Sequence, residues 1–456
     1  MEAGRGWESK TLCLMLVLPF WLAGCAMGSL FQPYPSQAQS WVHPAPGRNA
    51  SIVQHLERAG KGRDGVLYLQ ELGLLQQRLG NDAASRTVFA DVINHYEHTD
   101  AQALIRVTGL ASQTGALLIN DNALPYRAPD YERIFTYSYQ ALNYWAAGDV
   151  TGTAVELRRA AQAQRMAEQR REKELAKADE DAASVLDLSQ YQGYFEGLDL
   201  AAGAVKSSFQ NAWTFYLSAL FWEAHGEYND ALVDYKKALE LHPRADWLKA
   251  DVQRVSRALD GYRERGIGTV AVLYEQGEVP ARQEVSLPIP TPHGLFLVAF
   301  PSYSVTSWSA ARPLTFHVGE QSAQTRVLAD VGALAARNLR EQAPGMLIRQ
   351  VLRATGKYNL QKKANDDFGG AGAFLTQLFN LISEQADRRS WLGLPAYVQA
   401  GRISVPVGEQ QVLLSSPGGD ASVTVPVMER GLTLIHVTER AGRLVARVLP
   451  VQEGPL

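Results

Sequence analysis

Cysteine is almost absent from this chain of 456 residues: there are two, Cys13 and Cys25, both near the N-terminus. Two thiols gathered at one end supply no disulfide framework, so the chain needs a core large enough to fold without staples. Charge of one sign is lacking too. A net charge of −3 leaves no electrostatic footprint for a nucleic-acid partner. No apolar run reaches the ~20 residues that a spanning helix needs.

Recognisable reaction motifs are also missing. The chain contains no HExxH, GxSxG, CxxC or P-loop pattern. Gly369-Gly370-Ala371-Gly372 resembles a phosphate-cradling loop only superficially, because no lysine follows it; it reads as the entry to the apolar helix Phe374–Ile382. That helix reads as a core element, and a lipid or small-molecule binder built on it is the alternative. Of nine histidines only His95 and His98 lie close together, with Asp100 nearby. No further ligand accompanies them, so neither a metal nor another cofactor is expected. The acidic pairs Asp366-Asp367 and Asp179–Asp181 sit in polar runs without an apolar pocket to raise a carboxyl pKa, and read as solvated.

What is present begins at the N-terminus. Lys10 precedes an apolar run from Leu12 to Leu22, closed by Ala23, Gly24 and Cys25. A short apolar core ending in small residues is the pattern of a secretory leader, here residues 1–24. Leu22-Ala23-Gly24-Cys25 matches the lipobox of bacterial lipoproteins, which implies acylation of the Cys25 thiol, the one strong nucleophile of the segment. Ala26, which follows, is not the aspartate that holds such proteins at the inner membrane. The expectation is therefore an outer-membrane anchor facing the periplasm. Residues 25–50, with Pro33, Pro35, Pro44, Pro46 and Gly47, read as an extended tether.

Residues 51–265 show apolar and aromatic side chains at three- and four-residue spacing and read as helical. In the clearest stretch, Phe215, Trp222, Gly226, Tyr228, Ala231, Tyr235, Ala238 and Pro243 fall where a tetratricopeptide repeat places large, small and turn residues. Gly226 permits the tight turn, Ala231 and Ala238 allow close helix contact, and Pro243 cannot continue the second helix. Ser218 and Ala219 depart from the usual Leu-Gly pair. Two fainter copies precede it, around Gly80-Asn81 and Gly148-Asp149. Between the second and third lies a charge-rich stretch, Glu156 to Asp181, read as a solvated helix rather than a basic docking surface.

Residues 266–456 change character. Val270/Val272/Tyr274, Val285/Leu287/Ile289, Ile403/Val405/Val407, Val423/Val425/Val427 and Leu432/Leu434 alternate at period two, around a helical insert that Pro344-Gly345 is expected to break. The expected fold class is thus α+β: an N-terminal α-helical repeat domain followed by a mixed C-terminal domain whose first and last strands share a sheet.

Further segments carry a family likeness. Asn122-Ala123-Leu124-Pro125-Tyr126, Tyr131-Glu132-Arg133, Gly226-Glu227-Tyr228, Gln385-Ala386-Asp387-Arg388-Arg389-Ser390-Trp391 and Leu394-Pro395 resemble, over nearly the whole mature chain, a group of uncharacterised proteobacterial outer-membrane lipoproteins with tetratricopeptide-like repeats. The resemblance implies a non-enzymatic envelope protein, encoded near a lipoprotein that activates a peptidoglycan synthase. Its partners would be the bacterial membrane, through the lipid, and an envelope protein. Stacked helix pairs are expected to bind that protein in the concave groove they leave, the third repeat contributing chiefly through its first helix with Phe215, Tyr216 and Trp222. An envelope enzyme acting through the C-terminal domain is the competing expectation. Arg388, Arg389 and Trp391 read as residues that fix the chain between helix and strand.

Overall fold

The computed structural model describes residues 32–106, 122, 124–185, 187–262, 264–291, 294–368, 385–440 and 442–450. The expected leader, Cys25 and the segment Phe374–Ile382 lie outside the described residues. Among the described residues ten helices come first: α1 Tyr34–Val42, α2 Asn49–Ala59, α3 Gly65–Arg78, α4 Asp82–Arg106, α5 Asp130–Ala146, α6 Val150–Val185, α7 Gln192–Ala202, α8 Ala212–Ala224, α9 Tyr228–Leu241 and α10 Asp246–Leu259. Strands β1 Ile267–Gln276, β2 Gln283–Thr291, β3 Gly294–Ser302, β4 Thr315–Val318, β5 Gln321–Gln324 and β6 Arg326–Asp330 then precede α11 Val331–Phe368. Strands β7 Tyr397–Pro406, β8 Gly408–Ser416, β9 Gly419–Val427, β10 Leu432–Arg440 and β11 Arg443–Val448 close the chain. The fold class is α+β, with helices gathered towards the N-terminus and sheets towards the C-terminus.

The helix pairs α3/α4, α5/α6 and α8/α9 each turn on a glycine in the left-handed region, Gly80 at φ 79°, Gly148 at 72° and Gly226 at 75°. A Cβ is strained there, which is why the turns fall at these residues. Ala231 and Ala238 of α9 are wholly buried against α8, and Tyr235 fills the space between them. The unusual Ser218 has a function in that contact. Its hydroxyl donates to Asp234 Oδ2 at 2.6 Å and accepts from the Trp222 indole N–H at 3.0 Å, tying α8 to α9 with bonds that a leucine there could not make.

The expected tether over 25–50 is corrected by α1. Tyr34, Ala38 and Trp41, spaced four and three apart, are buried on one face of that helix. Prolines did not prevent it, because Pro33 and Pro35 occupy the N-cap and first turn, where no intrahelical N–H is needed. Pro344 likewise does not break α11, which runs through it. Ala343, Met346 and Leu347 beside it are buried, and that packing outweighs the one hydrogen bond a mid-helix proline removes. The charge-rich helix α6 is less solvated than its composition implies. Arg170 donates to Asp130 Oδ1 at 2.6 Å, and Arg171 reaches Asn338 Oδ1 on α11 at 2.9 Å.

The sheets explain the apolar runs. One has the order β11-β10-β1-β7-β6 and a second β5-β4-β8-β9, while β2 and β3 pair alone. The first strand and the late strand β10 are parallel neighbours, Thr269 opposite Leu432, at the centre of the larger sheet. Val270, Val272 and Tyr274 on one face of β1 pack with Phe316, Leu414 and Val425 of the smaller sheet. Ala271 and Leu273 on the other face join the helical core. A central strand buried on both sides needs a near-continuous apolar run, which Val270 to Tyr274 supplies. The helix-facing side of this sheet and the N-terminal helices share one continuous core, running from Tyr34 to Leu449. Residue 265 therefore marks a change of element type, not a gap between two cores.

Candidate functional site

Stacked helix pairs would leave a concave face, with α8 expected to line it. That face is not open. Every residue of α8 from Ala212 to Glu223 is buried, Phe215 and Trp222 included. The segment between α11 and β7 enters instead. Trp391 is fully buried with its ring centroid 6.1 Å from Phe89 and 5.9 Å from Tyr139, and Tyr139 leads on to Trp213 at 5.5 Å.

Two buried carboxylates hold the inserted segment by its backbone. Glu132 Oε1 accepts from the Trp391 N–H at 2.9 Å. Glu71 accepts from Leu392 and Gly393 N–H, each at 2.9 Å. Gly393 is required by this approach, since a Cβ there would lie 2.4 Å from Glu71 Oε2. Tyr34 donates to Glu71 at 2.9 Å, and Tyr126 to Glu132 at 2.7 Å. Burial raises both carboxyl groups, Glu71 to about 7, against the opposing pull of these donors. Raised carboxyl groups mark acid–base sites in many enzymes. Here both oxygens of each are engaged by donors of the chain itself, and the chemistry they serve is holding that chain. Arg389 completes the lock, its Nη1 3 % exposed side chain contacting Asp64 Oδ1 at 2.6 Å and its Nη2 Asp387 Oδ2 at 2.8 Å.

A space open to a ligand lies elsewhere, as a groove of about 930 Å³ between α10 and the two sheets. Helix α10 buries Leu248, Asp251 and Val255 and thereby turns Arg254, one turn from Asp251, towards the sheet. From β7, Arg402 meets the same partners. It donates to Glu223 Oε1 at 3.0 Å and Oε2 at 3.1 Å, to Asp251 Oδ1 at 3.2 Å and to Thr269 Oγ1 at 3.2 Å. Arg254 adds a second fork, with Nη2 2.8 Å from Glu223 Oε2. Tyr235 donates to the same Glu223 oxygen at 2.6 Å, and Tyr216 to Asp251 Oδ2 at 3.0 Å. Burial alone would raise the Glu223 carboxyl; the guanidinium groups of Arg402 and Arg254 outweigh it and hold it well below the usual carboxylate range. The floor of the groove is thus charged but internally matched.

The rim is different. Arg257 on α10, Arg326 at the start of β6 and Arg430 in the turn before β10 are exposed. None of the three makes an ion pair or side-chain hydrogen bond among the described residues. Trp247 is half-buried beside them and Tyr262 is 77 % exposed. Five guanidinium groups line this groove against the carboxylates of Glu223, Asp251 and Glu264, in a chain whose net charge is −3.

Of the repeat-signature residues, only Tyr228 lines this groove. Phe215, Trp222, Ala231, Tyr235 and Ala238 are buried, Gly226 makes its turn, and Pro243 is exposed just past α9. Arg402, Arg254 and the rim arginines carried no signal in the sequence, because their partners lie on elements far apart in the chain. Asp100, two residues past His98, is engaged by both Nη groups of Arg133. Among the described residues no three histidine, cysteine or acidic side chains converge as a metal site would require, and no helix is long and apolar enough to cross a membrane. No protein-family model, curated protein or solved structure matches the chain.

Proposed function

We propose that this protein is a non-enzymatic adaptor of the bacterial cell envelope. It is held at the outer membrane by acyl chains on Cys25, faces the periplasm, and binds a protein partner in a process linked to peptidoglycan synthesis. The observation that carries the binding role is the groove between α10 and the sheets. Its floor charges are matched internally, whereas Arg257, Arg326 and Arg430 on its rim are unmatched among the described residues. The repeats act as a frame for this groove, since their own concave face is filled by Trp391 and its neighbours. The lipobox and the family likeness supply the location and the process. More than one acyl chain, as a lipidated bacterial cysteine carries, is sufficient for stable anchoring.

The test is crosslinking in intact cells, followed by purification of the lipidated protein and mass spectrometry. A reproducible envelope protein, recovered with the wild type, supports the adaptor role; recovery of no protein overturns it. Fractionation of the Cys25→Ser variant tests the anchor. Soluble variant protein supports lipidation, and variant protein that still sediments with membranes refutes it.

A further inference from the structure

We infer that the groove between α10 and the sheets binds an extended, acidic polypeptide segment of the partner. This rests on the adaptor reading for its biological setting but on the groove alone for its chemistry.

The placement of the arginines excludes a compact anion as the ligand that uses all of them. Arg326 stands in register with Ala400 of β7, and Ala400 with Leu273 of β1. The Arg430 backbone N–H donates to Ile267 O at the other end of β1, at 2.8 Å. Leu273 and Ile267 are separated along one strand, so the backbone positions carrying Arg326 and Arg430 lie about 20 Å apart at ~3.3 Å per residue. Arg257 stands across from them on the helical wall. A single phosphate or carboxylate spans none of this. A chain of roughly six extended residues spans all of it.

Two features select a polypeptide among extended anions. Ser322, Ala323 and Gln324 of β5 line the groove, and β5 is the edge strand of the smaller sheet, with β4 as its sole neighbour in that ladder. An edge strand offers main-chain donors and acceptors in the pattern an added strand uses, which a glycan or a lipid headgroup does not reproduce. Guanidinium forks match carboxylates two bonds at a time, and among the described residues the rim arginines pair with no carboxylate. The exposed Tyr262 and half-buried Trp247 supply apolar surface for residues between the acidic ones.

The experiment is fluorescence anisotropy with the full mature chain and a fluorescein-labelled peptide of alternating glutamate and threonine. A matched lysine–threonine peptide, oligogalacturonate and phosphatidylglycerol vesicles serve as competitors. The acidic peptide is expected to bind, to weaken steeply as salt rises, and to lose at least tenfold in affinity in an Arg257→Glu/Arg326→Glu variant. Both positions are exposed, and an unchanged circular dichroism spectrum confirms that the variant folds. Equal binding of the lysine peptide, indifference to the double reversal, or more effective competition by the glycan or the vesicles overturns the inference. The same variant in the cellular crosslinking separates the two readings. A partner captured equally by wild type and variant leaves the adaptor standing and removes the acidic-peptide site. No partner captured, with the peptide still bound in the tube, removes the adaptor and leaves the site.

Discussion

Arg389 and Asp64 meet as a buried ion pair at 2.6 Å, joining the segment before β7 to the N-cap of α3. The same guanidinium holds Asp387 and donates to the Leu124 carbonyl at 2.9 Å. One side chain thereby fixes three stretches of chain that are remote in sequence.

Truncating that side chain leaves two carboxylates without their main counter-charge in a dry environment. Arg389→Ala is expected to destabilise the fold by about 3–5 kcal/mol, the usual cost of breaking one side of a buried pair. Arg389→Lys should recover only part of this, because an ammonium cannot form the planar forks made to Asp387 and Asp64. Urea unfolding of the three proteins checks both statements; equal midpoints for wild type and the alanine variant would refute them.

Trp391 tests the inserted segment from its apolar side. It is fully buried against Phe89 and Tyr139. Trp391→Ala should cost roughly 3–5 kcal/mol and open a cavity between α4, α5 and the loop. Thermal unfolding reads the loss, and a change below about 1 kcal/mol, the scale of a surface substitution, would mean that the segment is not packed there.

The contact between α8 and α9 makes a different demand. Ala231 is wholly buried between α8 and α9, so Ala231→Arg introduces both volume and an unpaired charge into a close helix contact. The expected loss is at least ~3 kcal/mol. Ala231→Ser, which adds one small atom, is expected to cost far less, and calorimetry that ranks the two the other way would contradict the packing.

How far these features were legible follows from the range of the interactions. Turn glycines, the small residues of α9 and the period-two strands are local patterns, and residues such as Gly226, Ala238 and Val270 announce them. Tyr34, Ala38 and Trp41 had helical spacing as well, but the surrounding prolines read as a tether because their first-turn positions depend on where the helix starts. The groove was invisible for another reason. Arg402 is charged and sits in a strand, and nothing near it in sequence states that Glu223 and Asp251 await it. Pairing across such separations is decided by tertiary packing. The Arg389–Trp391 segment lay between the two cases, since an apolar aromatic beside paired arginines marks a docking element without naming its dock.

Glu71 gives the fold a pH dependence of unusual sign. Burial raises its carboxyl to about 7, although Tyr34 and the Leu392 N–H pull the other way. In the unfolded chain it titrates near its ordinary value of 4.5. Between these values the folded protein binds more protons than the unfolded one, so stability falls as pH rises from about 4.5 to about 7 and is level beyond. The shift corresponds to a loss on the order of 3 kcal/mol across that window. Glu132, raised by burial as well, adds a contribution of the same sign. Glu223 and Asp387 act oppositely: the arginines outweigh burial and lower them, so their stabilisation is present above the ordinary carboxyl range and lost as pH falls below it. Acid unfolding is therefore expected below about pH 4 and a stability maximum near pH 5. Urea unfolding at intervals from pH 3 to 8 checks the profile, and Glu71→Gln isolates its source. The variant should lose the decline between pH 5 and 7 while keeping the acid limb; a wild-type profile already flat in that window would show that Glu71 stays ionised against its backbone donors.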